Sequence, residues 1–114
     1  MKETKTPKIN KLKIGSSWYD VEYVDDLKNE QDKRLFGRIW QDKKIIRIDK
    51  GCSYETQLQA LLHENIHGIC WEYAIDDDEE LVLPISNGIF AFIINNPGFI
   101  REILKYTEKI KKCS

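Results

Sequence analysis

Two histidines four residues apart, His63 and His67, with Glu64 between them, are the part of this chain best equipped for chemistry. Residues at i and i+4 leave a helix on the same face. One metal ion could therefore take a nitrogen from each ring, at about 2.0–2.1 Å if the ion is zinc. Glu64 points off that axis yet stays within reach of a water on the metal, whose pKa zinc lowers to about 7. The run His63-Glu64-Asn65-Ile66-His67 is an HExxH motif. The plainer reading is a helix that happens to carry two histidines beside a glutamate. Against it, these are the only histidines in the chain, and Gly68 follows directly, a small residue that lets the helix pack closely. The flanking positions are also apolar, where polar side chains need a reason.

A catalytic zinc takes three protein ligands and leaves one position open. Without a third histidine, the third ligand must be Glu, Asp or Cys. Glu79 and Glu80 lie twelve and thirteen residues beyond His67, far enough to end one helix, turn, and bring a carboxylate back across the metal. Cys70 shares a helical face with the histidines, but beside Ile66 and Ile69 it reads as a buried core thiol. Glu72 sits about 90° or more round the helix from His67, at 100° per residue.

The elements that must position these residues follow from periodicity. Ile9–Ile14 and Trp18–Val24 flank Gly15-Ser16-Ser17, and Tyr19, Val21 and Tyr23 alternate with acids as in a half-buried strand. Leu35–Trp40 and Lys44–Ile48 read as two further strands, with Gly37 marking a bulge. Ser53 suits the N-cap of a helix over Tyr54–Tyr73, with Leu58, Leu61, Leu62, Ile66 and Ile69 as its apolar stripe. Asp76–Asp78 would cap a second helix running to Ile94, turning Ile85, Ile89, Phe92 and Ile93 to the core. A third helix over Phe99–Ile110 follows Asn95-Asn96-Pro97-Gly98. This is an α+β fold: three to four short antiparallel strands packed on three helices, with HExxH on the first. Residues 1–8 read as a flexible basic N-terminus and 9–112 as a single domain.

The composition is that of a globular protein, and a net charge of −1 gives no whole-molecule attraction to nucleic acid or an anionic membrane. The lysine-rich ends read as solvated termini; nucleic-acid binding through them would need steep salt dependence and has no motif behind it. The acidic run Asp76–Glu80 lacks the glycine and spaced oxygens of a calcium loop. Trp18, Trp40 and Trp71 read as packing residues. Three cysteines without a CxxC pair fit a reducing compartment. The longest apolar run, Gly88–Ile94, is too short to cross a bilayer, and the N-terminus lacks an apolar leader. The expectation is a cytoplasmic protein without a membrane partner.

The runs QALLHENIHGICWEY, EELVLPISNGIFAFIINNP and LFGRIWQDKKIIRID resemble the small phage and mobile-element proteins related to the ImmA/IrrE metallopeptidases, over roughly Lys11–Pro97. The resemblance implies a gluzincin-like, zincin-type fold and a Zn2+ held by His63, His67 and Glu79, with Glu64 as catalytic base. It favours Glu79 over Glu80 as third ligand. It further implies a bacterial cytoplasm and a protein or peptide substrate, such as a regulator, since relatives cleave a repressor of their own element. Two positions depart from the pattern. Leu83 stands where a polar residue would orient a metal-binding histidine, and Pro84 falls inside the expected helix. A metallopeptidase is one function this implies; the other is a non-catalytic zincin-fold binder that grips a partner protein.

Overall fold

The computed structural model describes residues 5–113. Four strands come first: β1 (Lys11–Ile14), β2 (Ser17–Val24), β3 (Gly37–Trp40) and β4 (Ile45–Asp49). Three helices follow: α1 (Tyr54–Glu72), α2 (Glu79–Asn95) and α3 (Pro97–Cys113). The strand order is β1-β2-β4-β3. β1–β2 and β3–β4 are antiparallel, but β2 and β4 run parallel, Val21 opposite Ile46 and Tyr23 opposite Ile48. The sheet is therefore mixed, not wholly antiparallel. The reason lies in residues 25–36. This segment, anchored by buried Leu27 and a Lys28–Arg34 bridge, carries the chain to the far edge, so β4 returns between β2 and β3. Alternation along a strand reports which face is buried, not which way its neighbour runs.

Gly15 and Gly37 each have a steric cause. At Gly15, which turns the β1–β2 hairpin at φ +60°, a Cβ would lie 2.9 Å from Cβ of Glu72. Gly37 makes no bulge, because β3 pairs with β4 in unbroken register. Instead it brings the sheet edge against α1, where a Cβ would lie 3.2 Å from Cγ of Glu64 and 3.0 Å from Cδ1 of Ile48.

One face of the sheet and α1 close the core. Tyr19, Ile46 and Ile48 are fully buried and pack with Ile14, Val21, Ile39, Ala60 and Leu61. Ser53 caps α1, its Oγ accepting from the Thr56 amide at 3.2 Å. The deepest line on α1 is Gln57, Leu61, Glu64 and Gly68; Leu58, Leu62, Ile66 and Ile69 flank it, half-buried. Close approach explains the shift, since a Cβ on Gly68 would lie 2.8 Å from Cδ1 of Ile14.

Of the expected N-terminal tail, Met1–Thr4 lie outside the described residues. Beyond them, Pro7 is buried and the Lys5 carbonyl accepts from Nε2 of Gln57 at 3.0 Å.

Asp78 caps α2, accepting from the Glu80 amide at 3.0 Å, and α2 runs on through Pro84. The expectation that Ile85, Ile89, Phe92 and Ile93 face the core is not met. Ile85, Phe92 and Ile93 are exposed and Ile89 is half-exposed; only Val82 and Ser86 of α2 are buried. The sheet and α1 already fill the core, and α2 reaches α1 with only one face. α3 leaves α2 at 90°, and no single helix among the described residues is long and apolar enough to cross a membrane.

Candidate metal centre

α1 delivers His63 and His67 to one spot, as the i, i+4 spacing requires. Their Nε2 atoms stand 3.2 Å apart. The edge of a tetrahedron with bonds of 2.0–2.1 Å is about 3.3 Å, so the pair already has the separation of two ligands on one zinc-sized ion. Glu79, the first residue of α2, completes the group. Its Oε1 lies 2.9 Å from Nε2 of His63 and its Oε2 2.6 Å from Nε2 of His67. His63, His67 and Glu79 are the only group of three such side chains that could hold a metal ion among the described residues. Glu80 is exposed, and Cys70 is a buried free thiol outside the cluster. Glu72 faces the sheet instead, accepting from Ser17, Tyr19 and Lys44.

The outer ring nitrogens settle what the inner ones offer. Nδ1 of His67 lies 2.5 Å from Oδ1 of Asp77; a carboxylate only accepts, so the ring nitrogen donates. Oδ2 of Asp77 accepts from Nε1 of Trp71 at 2.8 Å, which fixes the carboxylate from the other side. Ser86 Oγ donates to the Leu83 carbonyl at 3.0 Å and so accepts from Nδ1 of His63 at 3.2 Å. Both neutral rings are thereby held in the tautomer whose Nε2 lone pair points inward. Two lone pairs and a carboxylate converge, a donor set that repels itself unless a cation or an extra proton sits among them.

Titration follows from this arrangement. Burial lowers the pKa of His63, with the nearby Glu79 charge opposing it. Burial pulls His67 down as well, but its bond to Asp77 and the charges of Glu64, Asp77 and Glu79 outweigh that and leave it raised. Glu64 is 9% exposed, pressed between α1 and Gly37. Burial pushes its pKa up to about 7, the charges of Glu79 and Asp77 adding to the effect and His67 opposing it.

The site is open. A cleft of about 430 Å³ is lined by His63, Glu64 and Glu79 together with Phe36, Gly37, Ala60, Leu83 and Asn87. A second groove, past Arg38, Trp71 and Asp77, reaches the same three residues from the other side. The cluster thus lies at the middle of a trough bordered by β3.

Sequence reasoning missed Asp77 and Ser86. Asp77 reads as one acid in a helix-start run, and nothing local shows that Ala74, at φ 57°, turns the chain back so that Asp77 meets His67. Ser86 lies one turn beyond Val82 on the only buried face of α2, and a polar residue on an otherwise apolar face was the available signal. Leu83 does not leave the histidines unsupported, because Asp77 and Ser86 hold them. No family model, curated protein or solved structure matches this chain.

Proposed function

We propose that this protein is a zinc-dependent metallopeptidase that hydrolyses a peptide bond in a protein substrate. The observation that carries the reading is the convergence of His63, His67 and Glu79 at the floor of an open trough, with Glu64 buried in its wall. Two imidazoles and one carboxylate, with a fourth side left open, are the donor set of a catalytic zinc. A zinc ion bound there would polarise the scissile carbonyl and acidify a water.

The chain's own residues do the rest. Asp77 and Ser86 lock the imidazoles so that no ring has to rotate on binding. The Glu64 carboxylate takes a proton from the attacking water and hands it to the leaving amine nitrogen, so water adds across the C–N bond without net proton loss. Burial of Glu64 raises its affinity for that proton, which a group that must both accept and return it needs. The trough beside β3 has room for an extended segment of polypeptide.

The test joins metal content with cleavage of a denatured protein substrate. Wild type should hold about one zinc per chain; His63→Ala and Glu79→Ala should lose it, and Glu64→Gln should keep zinc while cleaving at least about 100-fold more slowly. Zinc-free wild type, even after zinc is added back, would sink the reading. Zinc binding with no cleavage that depends on Glu64 would leave a metal-bearing binding protein instead.

A further inference from the structure

The largest feature that the metal centre does not use is the α2–α3 arm. Its exposed apolar residues include Leu81, Ile85 and Phe92 on α2 and Phe99, Ile103, Tyr106 and Ile110 on α3, each at least 46% accessible, with Leu83, Ile93, Ile94 and Leu104 exposed to either side of that line. An exposed apolar surface of this extent marks an interaction site.

The pattern of these residues says what covers it. Leu81, Ile85, Gly88 and Phe92 follow one another in steps of four, three and four, and so do Phe99, Ile103, Tyr106 and Ile110. Each set is a single helical stripe. The two sets are mirror images about the bend at Asn95–Asn96: Phe92 and Phe99 are equally far from it, as are Gly88 and Ile103, Ile85 and Tyr106, and Leu81 and Ile110. The stripes join at the bend, where the Phe92 and Phe99 rings meet edge to face at 5.9 Å. α2 and α3 have 17 residues each and stand at 90°.

Equal arms at a right angle are closed by one two-fold axis that bisects the angle. That operation lays α3 of each copy antiparallel along α2 of the other. It sets Leu81 against Ile110, Ile85 against Tyr106, Gly88 against Ile103 and Phe92 against Phe99, twice over. Large residues oppose large ones except at Gly88, where a Cβ would meet no other part of the chain within 4 Å, leaving room for Ile103. Charge agrees with this register. The start of α2 carries Glu79 and Glu80 and no base, while the end of α3 carries Lys109 and Lys111 against one acid, Glu108, and the register sets Lys111 opposite Glu80. We infer that two copies of this chain pair through α2 and α3 into an isologous dimer.

A lipid surface fits less well. In a bent pair dipping into a bilayer, the bend would go deepest, and here the bend is Asn95-Asn96, polar groups that are costly in hydrocarbon.

The experiment is sedimentation equilibrium on the full chain, with disulfide trapping. Wild type should be a dimer in the micromolar range. Ile103→Glu with Ile110→Glu should weaken association by roughly 100-fold or more while keeping the wild-type circular dichroism spectrum and metal content, which separates this result from misfolding and from failure of the zinc reading. In a Cys113→Ser background, Ile85→Cys with Tyr106→Cys should give a covalent dimer under mild oxidation, and Ile85→Cys alone should not. A wild type that stays monomeric at about 100 μM, a dimer indifferent to the α3 substitutions, or a monomer that floats with phosphatidylglycerol–phosphatidylcholine vesicles would overturn the inference.

Discussion

The body of the protein and its arm are built on opposite principles. In the body, β1–β4 and α1 close around Tyr19, Ile46 and Ile48, and buried Asp49 is answered by Arg34 and the Gly51 amide. In the arm, Val82 is the only buried apolar residue among those described, and apolar side chains lie on the outside. The candidate metal centre sits on the seam. His63 and His67 come from the body, while Glu79 is the first residue of the arm. The difference teaches that the folded core draws on the body alone, while the candidate site draws on body and arm together. The body carries both rings, but Asp77 and Ser86, which orient them, lie on the linker and on α2, and the third candidate ligand, Glu79, also belongs to the arm, a helix whose own cover comes from elsewhere.

The strongest way to break that comparison is to cut equal amounts from each region. Ile46→Ala, at a fully buried position, should lower the unfolding free energy by about 2–5 kcal/mol. Ile103→Ala on α3 should change it by no more than about 0.5 kcal/mol, as at other exposed sites, when the protein is dilute enough for copies to stay apart. Urea denaturation followed by circular dichroism measures both. Equal losses at that dilution would mean that α3 belongs to the folded core of a single chain.

The seam itself gives a second, smaller contrast. Asp77→Ala removes the acceptor that orients His67, and Ser86→Ala the one that orients His63. Each should weaken metal affinity by about 10–100-fold, the usual cost of losing such a partner. Leu83→Ala, one turn away and half exposed, should leave the affinity unchanged. Titration against a chromophoric chelator reads all three. An affinity that falls for Leu83→Ala and not for Asp77→Ala would transfer the supporting role to the position that the family resemblance had suggested.

What could be read from the sequence divides along the same seam. The histidine pair, the Ser53 and Asp78 caps and the three helices are local matters, fixed by neighbours within a turn. The parallel pairing of β2 with β4 depends on residues 25–36 carrying the chain past an edge, which no periodicity encodes. Asp77 and Ser86 escaped because their partners lie ten and 23 residues away, across a turn made by a left-handed alanine. The apolar spacing of α2 marked Ile85 and Phe92 as residues that need cover. It could not say that the cover lies outside their own core, because a stripe records demand for burial and not its source.

The smallest expected effect tests the body's far side, where α1 carries another carboxylate, Glu72, in a different setting. Glu64 is buried beside the candidate metal site with a raised pKa; Glu72, two turns on, has its pKa lowered by donation from Ser17, then by Lys44 and Tyr19. Ser17 Oγ donates at 2.9 Å, and Tyr19 Oη and Lys44 Nζ each at 3.1 Å. A carboxylate whose folded pKa lies below its unfolded value of about 4.5 stabilises the fold above that pH, and the contribution is lost as pH falls through the folded value. Glu72→Gln should therefore lower the urea midpoint modestly at pH 6, and the gap from wild type should close as the pH drops below about 4.5. Because Lys44 is partly exposed, added salt should shrink the gap at pH 6 as well. A gap that persisted unchanged at pH 3 would mean that Glu72 acts through shape and neutral hydrogen bonds, and Glu64 and Glu72 would then differ in position but not in the role of their charge.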